Sequence, residues 1–380
     1  MRAGDRTLIP VAALLWGLQF AFLNPSIGLL LASLYDASAA QVGWALAAYN
    51  ISGFVSTMIV PARADRAGDY VRPMVWCGIL TVLLVTALAL STTLPMAVLA
   101  LVALGGPAGV GVGLLFAHQR STDASVEQVM RTRAVFSFAW VAGPPIATLL
   151  IGFTGPRSVL WAIGLIALVC VAVTVALQRT RTPAAAGGAE STDDRGALAL
   201  LADPEVARLV AAFTLLSAAN NAAISTTTLL VTDRLDLDPV WGGVALAVAA
   251  GLEIPALLLL GRLSGRIDTR RLLAVGAVVA VAYYAVITVT QGPLLLVVAQ
   301  VLNAIGVATV SGIGLTVMQD VVPRPGLASG LFMNTYRGGA VLAGPLVAVG
   351  GSTSLGYGAT FLAAAVVAAI SLPLLILSAR

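Results

Sequence analysis

The chain has 380 residues, of which 59% are hydrophobic and only 10% are charged, and its mean hydropathy is +0.98. Soluble domains carry about a quarter charged residues, so this composition excludes a soluble globular protein and indicates a chain that crosses a membrane many times. The formal net charge of +4 does not indicate nucleic-acid binding, because the arginines lie at the ends of apolar runs.

Twelve apolar runs follow one another along the chain. Each has roughly 20 residues or more, enough to cross a hydrocarbon core of about 30 Å as a helix. The predicted fold is therefore an all-α membrane protein with 12 transmembrane helices. Numbered in chain order, the runs cover approximately residues 8–33, 40–62, 74–93, 95–118, 134–155, 158–178, 207–232, 240–262, 272–291, 293–318, 327–350 and 355–378.

The runs form two groups of six around a polar segment. Residues 179–206 are rich in small, polar and charged residues, which predicts a cytoplasmic linker between an N-terminal half (1–178) and a C-terminal half (207–380). The halves repeat one another at a spacing of about 200 residues, which is the layout of transporters that rock around a midplane site. The matched positions are Gly143-Pro144 with Gly344-Pro345, Arg66 with Arg266, Gly106 with Gly306, and Gln119 with Gln319.

The arginines predict the orientation. With the N-terminus inside, all of them except Arg157, Arg234 and Arg337 fall at cytoplasmic ends or loops, as the positive-inside rule requires. Both termini are then cytoplasmic, and we expect the protein in the cytoplasmic membrane of a bacterium.

Two charges lie inside apolar runs. Arg337 lies in the middle of run 11, and Glu253 lies well inside run 8. A charge at the bilayer centre costs about 2.5–3.5 kcal/mol on insertion scales, so it normally faces a polar interior and has a partner. We expect Glu253 and Arg337 to lie at one depth, to take part in substrate binding and to couple transport to protons. The alternative is a permanent ion pair that only allows Arg337 to exist in the membrane.

Uncharged polar residues at similar depth are candidates for a substrate site. Amides and hydroxyls suit a polyol because they donate and accept hydrogen bonds; the alternative is that they join helices to one another. Trp140 in run 5 is a candidate platform for a sugar ring, whereas Trp16 and the other tryptophans near run ends are interpreted as interface anchors. The polar candidates are Gln19, Asn24, Asn220, Asn221, Gln300, Asn303 and Asn334.

The loop after run 2, Pro61-Ala-Arg-Ala-Asp65-Arg66-Ala-Gly68-Asp-Tyr-Val-Arg72, resembles the Gly-x-Leu-x-Asp-Arg-x-Gly-x-Arg signature of the major facilitator superfamily. It departs from that signature at Pro61 and Arg63, which replace the first glycine and the leucine. The resemblance implies a gating role for Asp65 and Arg66, with Asp65 beside the start of helix 11 when the inner side is closed.

Three further segments resemble the bacterial sugar efflux transporters of this superfamily: Phe136 to Pro145, Gly251 to Pro255, and Asn334 to Arg337. This resemblance implies proton-coupled export of sugars or small glycosides by alternating access. The expected partners are a small molecule, protons and the lipid bilayer, and the expected state is a monomer without cofactor or metal.

Two other functions stay open. A multidrug and proton antiporter would share the Gly-Pro pair of run 5 and could use a cavity rich in alanine, leucine and valine. A non-transporting membrane receptor on this fold would usually carry an extra cytoplasmic domain. An enzyme or ATP-driven pump is disfavoured, because the sequence shows neither a Walker motif nor a catalytic cluster.

Overall fold

The computed structural model describes residues 3–180, 200–238, 240–353 and 355–377, and within these ranges the regular structure is entirely helical. Most of the predicted linker, residues 181–199, lies outside the described residues. Twelve helical stretches follow in chain order: α1 (Ala3–Tyr35), α2 (Ala39–Ala67), α3 (Val71–Leu90), α4 (Leu94–Ser121), α5 (Val126–Thr154), α6 (Pro156–Thr180), α7 (Pro204–Arg234), α8 (Val240–Leu263), α9 (Thr269–Val289), α10 (Pro293–Val321), α11 (Pro325–Ser352) and α12 (Gly358–Leu377).

The helices have the length and hydropathy of membrane spans. Among the described residues, every stretch except α11 meets both criteria. α11 has 28 residues, or about 42 Å at 1.5 Å per residue, so its length suffices; its sequence is less apolar because it contains Asn334, Arg337 and several glycines. The predicted all-α membrane fold is confirmed, and the number of helical stretches agrees with the predicted number of spans.

Three of the helices contain a π turn, which the continuous apolar runs did not predict. These turns are Leu101–Gly105 in α4, Leu230–Arg234 in α7 and Thr309–Ile313 in α10. A π turn inserts one extra residue into the helical ladder and is common at functional sites. It therefore changes the direction in which the following side chains of the helix point.

Polar side chains near the ends of the apolar runs set several helix ends. Ser38 and Gln41 form a reciprocal capping box at the start of α2. Asp203 accepts a hydrogen bond from the Glu205 N–H at the start of α7, and Asp268 does the same for the Arg271 N–H in α9. At the end of α2, Gly68 has φ 60°, the left-handed conformation that ends many helices.

The first compact unit is built from the described residues of Met1–Ala124, Val135–Asp194 and Pro323–Gly330. In it, α6 packs against both α1 and α3, while α4 packs against α2 and α3. Its core is a cluster of buried apolar side chains that includes Phe22, Leu84, Leu101 and Leu160. Because this unit includes Pro323–Gly330, the first turns of α11 pack with it.

The second compact unit is built from the described residues of Ser125–Ala134, Arg195–Val322 and Leu331–Arg380. In it, α12 packs against both α7 and α9, while α10 packs against α8 and α9. Replacing each helix of the first unit by the helix six places later gives this same pattern. The sequence repeat thus corresponds to a repeat in helix packing, whereas the predicted boundaries 1–178 and 207–380 stay a prediction.

Close approach of helices depends on glycine in each unit. In the first unit a Cβ added to Gly17 of α1 would lie 2.7 Å from Cβ of Ala139 in α5. In the second unit a Cβ added to Gly339 of α11 would lie 2.7 Å from the Ala218 nitrogen of α7. Small residues at such crossings let membrane helices pack backbone to backbone.

Gly111 of α4 gives the sharpest test of this packing, because a Cβ there would overlap the ring of Trp16, which is 1% exposed. We expect Gly111→Ala to lower the free energy of unfolding by about 1–3 kcal/mol, as overpacking of a filled core does. The measurement is the apparent melting temperature in detergent. Gly152→Ala in α5 is the control, because a Cβ there meets nothing within 4 Å. Equal melting temperatures for the two variants would contradict the prediction.

Candidate functional site

The second unit contains a small cavity of about 30 Å³ between α7, α9, α10 and α11. A buried water needs about 10–15 Å³, so this volume holds about two waters and is too small for a sugar. The cavity is lined by Leu216, Ser217, Asn220, Ala280, Tyr284, Asn303, Gly306, Val307, Val310 and Tyr336.

Two hydroxyl groups on this cavity are buried without a hydrogen-bond partner among the described residues. They are Ser217 Oγ and the Tyr336 hydroxyl. A buried polar group without a partner costs about 1–3 kcal/mol, and such groups in native proteins call for an explanation. These hydroxyls converge on a space with amide neighbours, which favours a site for a hydroxylated ligand.

The amides of α10 are held in a fixed arrangement. Gln300 Nε2 donates to the Leu296 carbonyl oxygen (2.9 Å), and Asn303 Nδ2 donates to Gln300 Oε1 (2.9 Å). The Gln300 side chain also hydrogen-bonds Tyr283. Gln300 therefore supports Asn303, and of the two only Asn303 reaches the cavity.

The first unit contains a corresponding cavity of about 20 Å³. Two buried polar atoms on it, Trp16 Nε1 and Gln19 Oε1, likewise have no hydrogen-bond partner within the described ranges. Trp16 precedes Ser217 by 201 positions (217 − 16), and Gln19 precedes Asn220 by the same number (220 − 19). At the first of these equivalent positions, Trp16 and Ser217, both repeats have an unpartnered polar atom, and at the second, Gln19 and Asn220, both have an amide that lines the cavity. The interpretation of Trp16 as an interface anchor was wrong, because its ring is packed in the protein interior.

Two charged residues of the second unit act electrostatically on Tyr336. Both Glu253 and Arg133 are within electrostatic range of the Tyr336 hydroxyl. Glu253 Oε1 accepts a hydrogen bond from Ser311 Oγ at 3.5 Å, and Ser311 belongs to the π turn of α10. The carboxylate of α8 is thereby connected to the helix that supplies Asn303 and Val310 to the cavity.

Arg337 hydrogen-bonds Asn334, which the sequence also predicts in the substrate site. Its Nη1 donates to Asn334 Oδ1 at 3.2 Å, one turn earlier on α11. Asn334 is buried and Arg337 is half-buried. The predicted pairing of Glu253 with Arg337 stays a prediction.

Three other predicted residues do not line either cavity. Asn24 is half-buried on α1, and Trp140 is 38% exposed on α5. Asn221 Nδ2 donates to the Ser217 carbonyl oxygen (2.8 Å), so this amide is hydrogen-bonded within its own helix. Their roles in substrate binding stay predictions.

Tyr336, Tyr284 and Arg133 were not predicted from the sequence. Tyrosines in an apolar run are interpreted as packing, although Tyr336 lies next to Arg337, which was a signal. Arg133 lies near the start of α5 and was assigned to a cytoplasmic helix end, yet the residue is 9% exposed. Only the structure shows that this buried arginine is within electrostatic range of the Tyr336 hydroxyl.

In the first unit, Asp65 caps the start of α11. Its Oδ1 accepts from the Gly326 N–H (2.7 Å) and its Oδ2 from the Leu327 N–H (2.9 Å), while the Tyr70 hydroxyl donates to Oδ1 (2.7 Å). Arg324 Nε lies 3.7 Å from Oδ2, and the side chains of Asp65 and Arg324 are 4% and 3% exposed. A carboxylate that satisfies two free N–H groups at a helix N-terminus is stabilised by hydrogen bonds and by the helix dipole.

The approach of α11 to α2 also requires Gly326. A Cβ at that position would lie 2.7 Å from both Asp65 Oδ1 and the Pro61 carbonyl oxygen. Arg324 Nη2 adds a hydrogen bond to the Ala62 carbonyl oxygen (3.1 Å). Arg66 lies exposed in the last turn of α2, so it differs in burial from its neighbour Asp65. The gating roles of Asp65 and Arg66 stay predictions.

The helix order, the repeat and the buried polar cavities define a membrane transporter of a known class. The chain belongs to the major facilitator superfamily, because the family model described as Major Facilitator Superfamily matches residues 11–344. The crystal structure of the superfamily transporter FucP in its outward conformation has a similar fold, with a TM-score of 0.78 at 14% identity and 99% of each chain covered.

Within this superfamily the chain is similar to curated sugar efflux transporters. It is 28% identical to sugar efflux transporter B of Salmonella typhimurium over 354 residues, which cover 90% of this chain and 88% of that protein. It is 30% identical to a putative sugar efflux transporter of Deinococcus radiodurans, with 93% and 92% of the two chains covered.

The Asp65 cap gives a testable prediction. Asp65→Asn keeps the size of the side chain but loses its charge and one acceptor, so we expect the start of α11 to open more often. With about 1–2 kcal/mol lost from charge-assisted hydrogen bonds, the opened population rises about 5- to 30-fold. The measurement is maleimide labelling of Ser329→Cys, because Ser329 is fully buried on α11, in a background with Cys77 and Cys170 replaced by alanine.

Asp69→Asn is the matched control for this experiment. Asp69 accepts from the Val71 and Arg72 N–H groups, so it caps α3 rather than α11. We expect the Asp69→Asn variant to label as slowly as the parent. Unchanged labelling in Asp65→Asn would show that the cap does not hold the start of α11 closed.

Proposed function

We propose that the chain is a secondary active transporter, not an enzyme, that exports sugars or small glycosides by alternating access. The curated relatives named as sugar efflux transporters support the substrate class. The observation in the structure that carries the proposal is the cavity of the second unit, with the unpartnered hydroxyls of Ser217 and Tyr336 beside two amides.

The chemistry of this cavity suits a neutral polyol. Hydroxyl groups of serine and tyrosine both donate and accept, and each asparagine amide supplies two donors and an acceptor. A sugar hydroxyl can therefore satisfy Ser217 Oγ, the Tyr336 hydroxyl and an amide of Asn220 or Asn303 together. Gly306 and the apolar residues Val307 and Val310 leave the remaining wall free for the less polar face of a sugar ring.

The volume of about 30 Å³ means that binding requires the lining helices to separate. The π turn of α10, Thr309–Ile313, supplies Val310 to the lining and lies next to Gly306 and Val307. A helix is more easily bent where its hydrogen-bond ladder is interrupted. We propose that α10 bends at this turn when substrate enters.

Tyr336→Phe tests the substrate site with little risk to the fold. Removing a buried hydroxyl that has no partner leaves the ligand-free protein as stable as before or more stable. The variant loses one hydrogen bond to a sugar, so we expect its dissociation constant to rise about 2- to 10-fold. The measurement is the sugar-dependent shift in apparent melting temperature, with Tyr357→Phe, outside the cavity lining, as control.

The same assay identifies the substrate class. Purified protein is screened against monosaccharides, glycosides and cationic drugs, because a ligand that binds the folded state raises its apparent stability. A proteoliposome assay of the best ligand then measures transport directly. If drugs stabilise the protein and no carbohydrate does, the sugar proposal is wrong and the multidrug alternative takes its place; binding without transport in liposomes would favour the receptor.

We further propose that protons drive export and that Glu253 carries the coupling proton, with Arg337 as the nearby charge that sets its affinity. A carboxylate in a low-dielectric site favours its protonated form, whereas a nearby cation favours its ionised form. The Ser311 hydrogen bond links Glu253 to α10, so movement of that helix changes the surroundings of the carboxylate. We also propose that both termini are cytoplasmic and that the protein acts as a monomer in a bacterial cytoplasmic membrane.

Glu253→Gln separates coupling from structure, because it removes the titration but keeps size and hydrogen bonding. We expect the variant to lose accumulation driven by a pH gradient while keeping substrate exchange at equal pH on both sides. Both rates are measured in proteoliposomes with a labelled sugar. Gradient-driven accumulation at the parental level would exclude the coupling role, and loss of folded protein would favour a permanent structural ion pair.

A further inference from the structure

The surface of the first unit contains a groove of about 570 Å³ bounded by α2, α3 and α4, here named the α2–α3 groove. It lies next to the short loop that joins α2 to α3, and therefore at the boundary between bilayer and water. The groove is lined by Val60, Arg63, Ala64, Ala67, Asp69, Arg72, Pro73, Trp76, Cys77, Leu80 and Pro107.

The charge on the groove is positive. Arg63 and Arg72 are exposed, and neither guanidinium has an ion pair or hydrogen bond with the described part of the chain. Asp69 is the one carboxylate in the lining, and it accepts from the N–H groups of Val71 and Arg72 at the start of α3. The two guanidinium groups are therefore available to an anion from outside the protein.

The groove changes from charged to apolar along α3. Arg72, Trp76 and Leu80 follow one another at intervals of four residues, so they form a stripe on one helix face. From Arg72 to Leu80 the helix rises about 12 Å, which leads from the interface into the hydrocarbon layer. Trp76 lies between them and is 58% exposed, as expected of an aromatic ring at the level of lipid headgroups.

The wall of the groove on α2 also changes from charged at the interface to apolar deeper in the bilayer. Arg63 lies near the end of α2, and Val60 lies one turn deeper, with the small Ala64 and Ala67 leaving room between the helices. Cys77 of α3 and Pro107 of α4 also line the groove. Both walls thus present a cation at the interface and apolar surface beneath it.

We propose that the α2–α3 groove binds an anionic phospholipid of the cytoplasmic leaflet. The phosphate contacts the guanidinium groups of Arg63 and Arg72, and an acyl chain lies along Trp76, Leu80 and Val60. Arginine forms paired hydrogen bonds with phosphate, and basic pockets between membrane helices bind anionic lipid headgroups. A free phosphate ion would use the charges but leave the apolar half of the groove empty.

The test uses the purified full chain in a neutral detergent. Phosphatidylglycerol, phosphatidylcholine and glycerol phosphate are each titrated while the apparent melting temperature and lipid binding by native mass spectrometry are recorded. We expect only phosphatidylglycerol to stabilise the protein and to be retained. Arg63→Gln/Arg72→Gln should raise its half-saturating concentration about tenfold or more, because basic residues near the membrane surface attract anionic lipid headgroups.

Arg262→Gln/Arg266→Gln is the matched control. It removes two exposed arginines from the corresponding loop of the second unit, so it changes the net charge equally without touching the groove. We expect its response to phosphatidylglycerol to equal that of the parent. An equal loss in both double variants, full retention in Arg63→Gln/Arg72→Gln, or an equal effect of phosphatidylcholine or glycerol phosphate would each overturn the proposal.

Discussion

The hydrocarbon layer offers no hydrogen bonds, and this constraint governs the whole molecule. The backbone meets it by forming helices, and the side chains meet it mostly by bonding to their own helix. Thr226 and Thr227, for example, donate to carbonyl oxygens four residues earlier. Most buried side chains are satisfied in this way, so the unpartnered polar atoms that line a cavity stand out as candidates for contact with a ligand.

Such atoms occur in both units. Among the described residues, a small cavity of each unit has unpartnered polar atoms on the first helix of that unit: Trp16 Nε1 and Gln19 Oε1 on α1, and Ser217 Oγ on α7. The chemistry differs, because an indole only donates whereas a hydroxyl both donates and accepts. The repeat therefore sets where polar groups are tolerated, and divergence between its copies decides what each cavity can bind.

The fold could be predicted from the sequence because an apolar run of membrane length has few other solutions. The polar residues could be predicted in part for the same reason: Gln19, Asn220 and Asn303 stand out in apolar runs, and all three line cavities. Tyr336 and Trp16 were not predicted, since a tyrosine in such a run is usually packing and a tryptophan near the end of a run is usually an interface anchor. Asn221 was predicted together with Asn220, but its amide donates to the Ser217 carbonyl oxygen, whereas Asn220 lines the cavity.

The starts of α5 and α11 occupy equivalent places in the two repeats, but different contacts hold them. Ser125 and Gln128 cap α5 reciprocally, with Ser125 N–H to Gln128 Oε1 at 3.0 Å and Gln128 N–H to Ser125 Oγ at 3.3 Å.

α11 begins instead at Pro325 after Arg324, which cannot accept a hydrogen bond, so Asp65 of α2 caps it from another part of the chain. At a spacing of 200 residues the counterpart of Asp65 is Gly265, which has no side chain to accept a bond. The start of α5 is therefore stable by itself, whereas the start of α11 depends on a contact that movement of α2 can break. A conformational change that releases this contact costs hydrogen bonds in one repeat only, and so the two repeats need not open with equal ease.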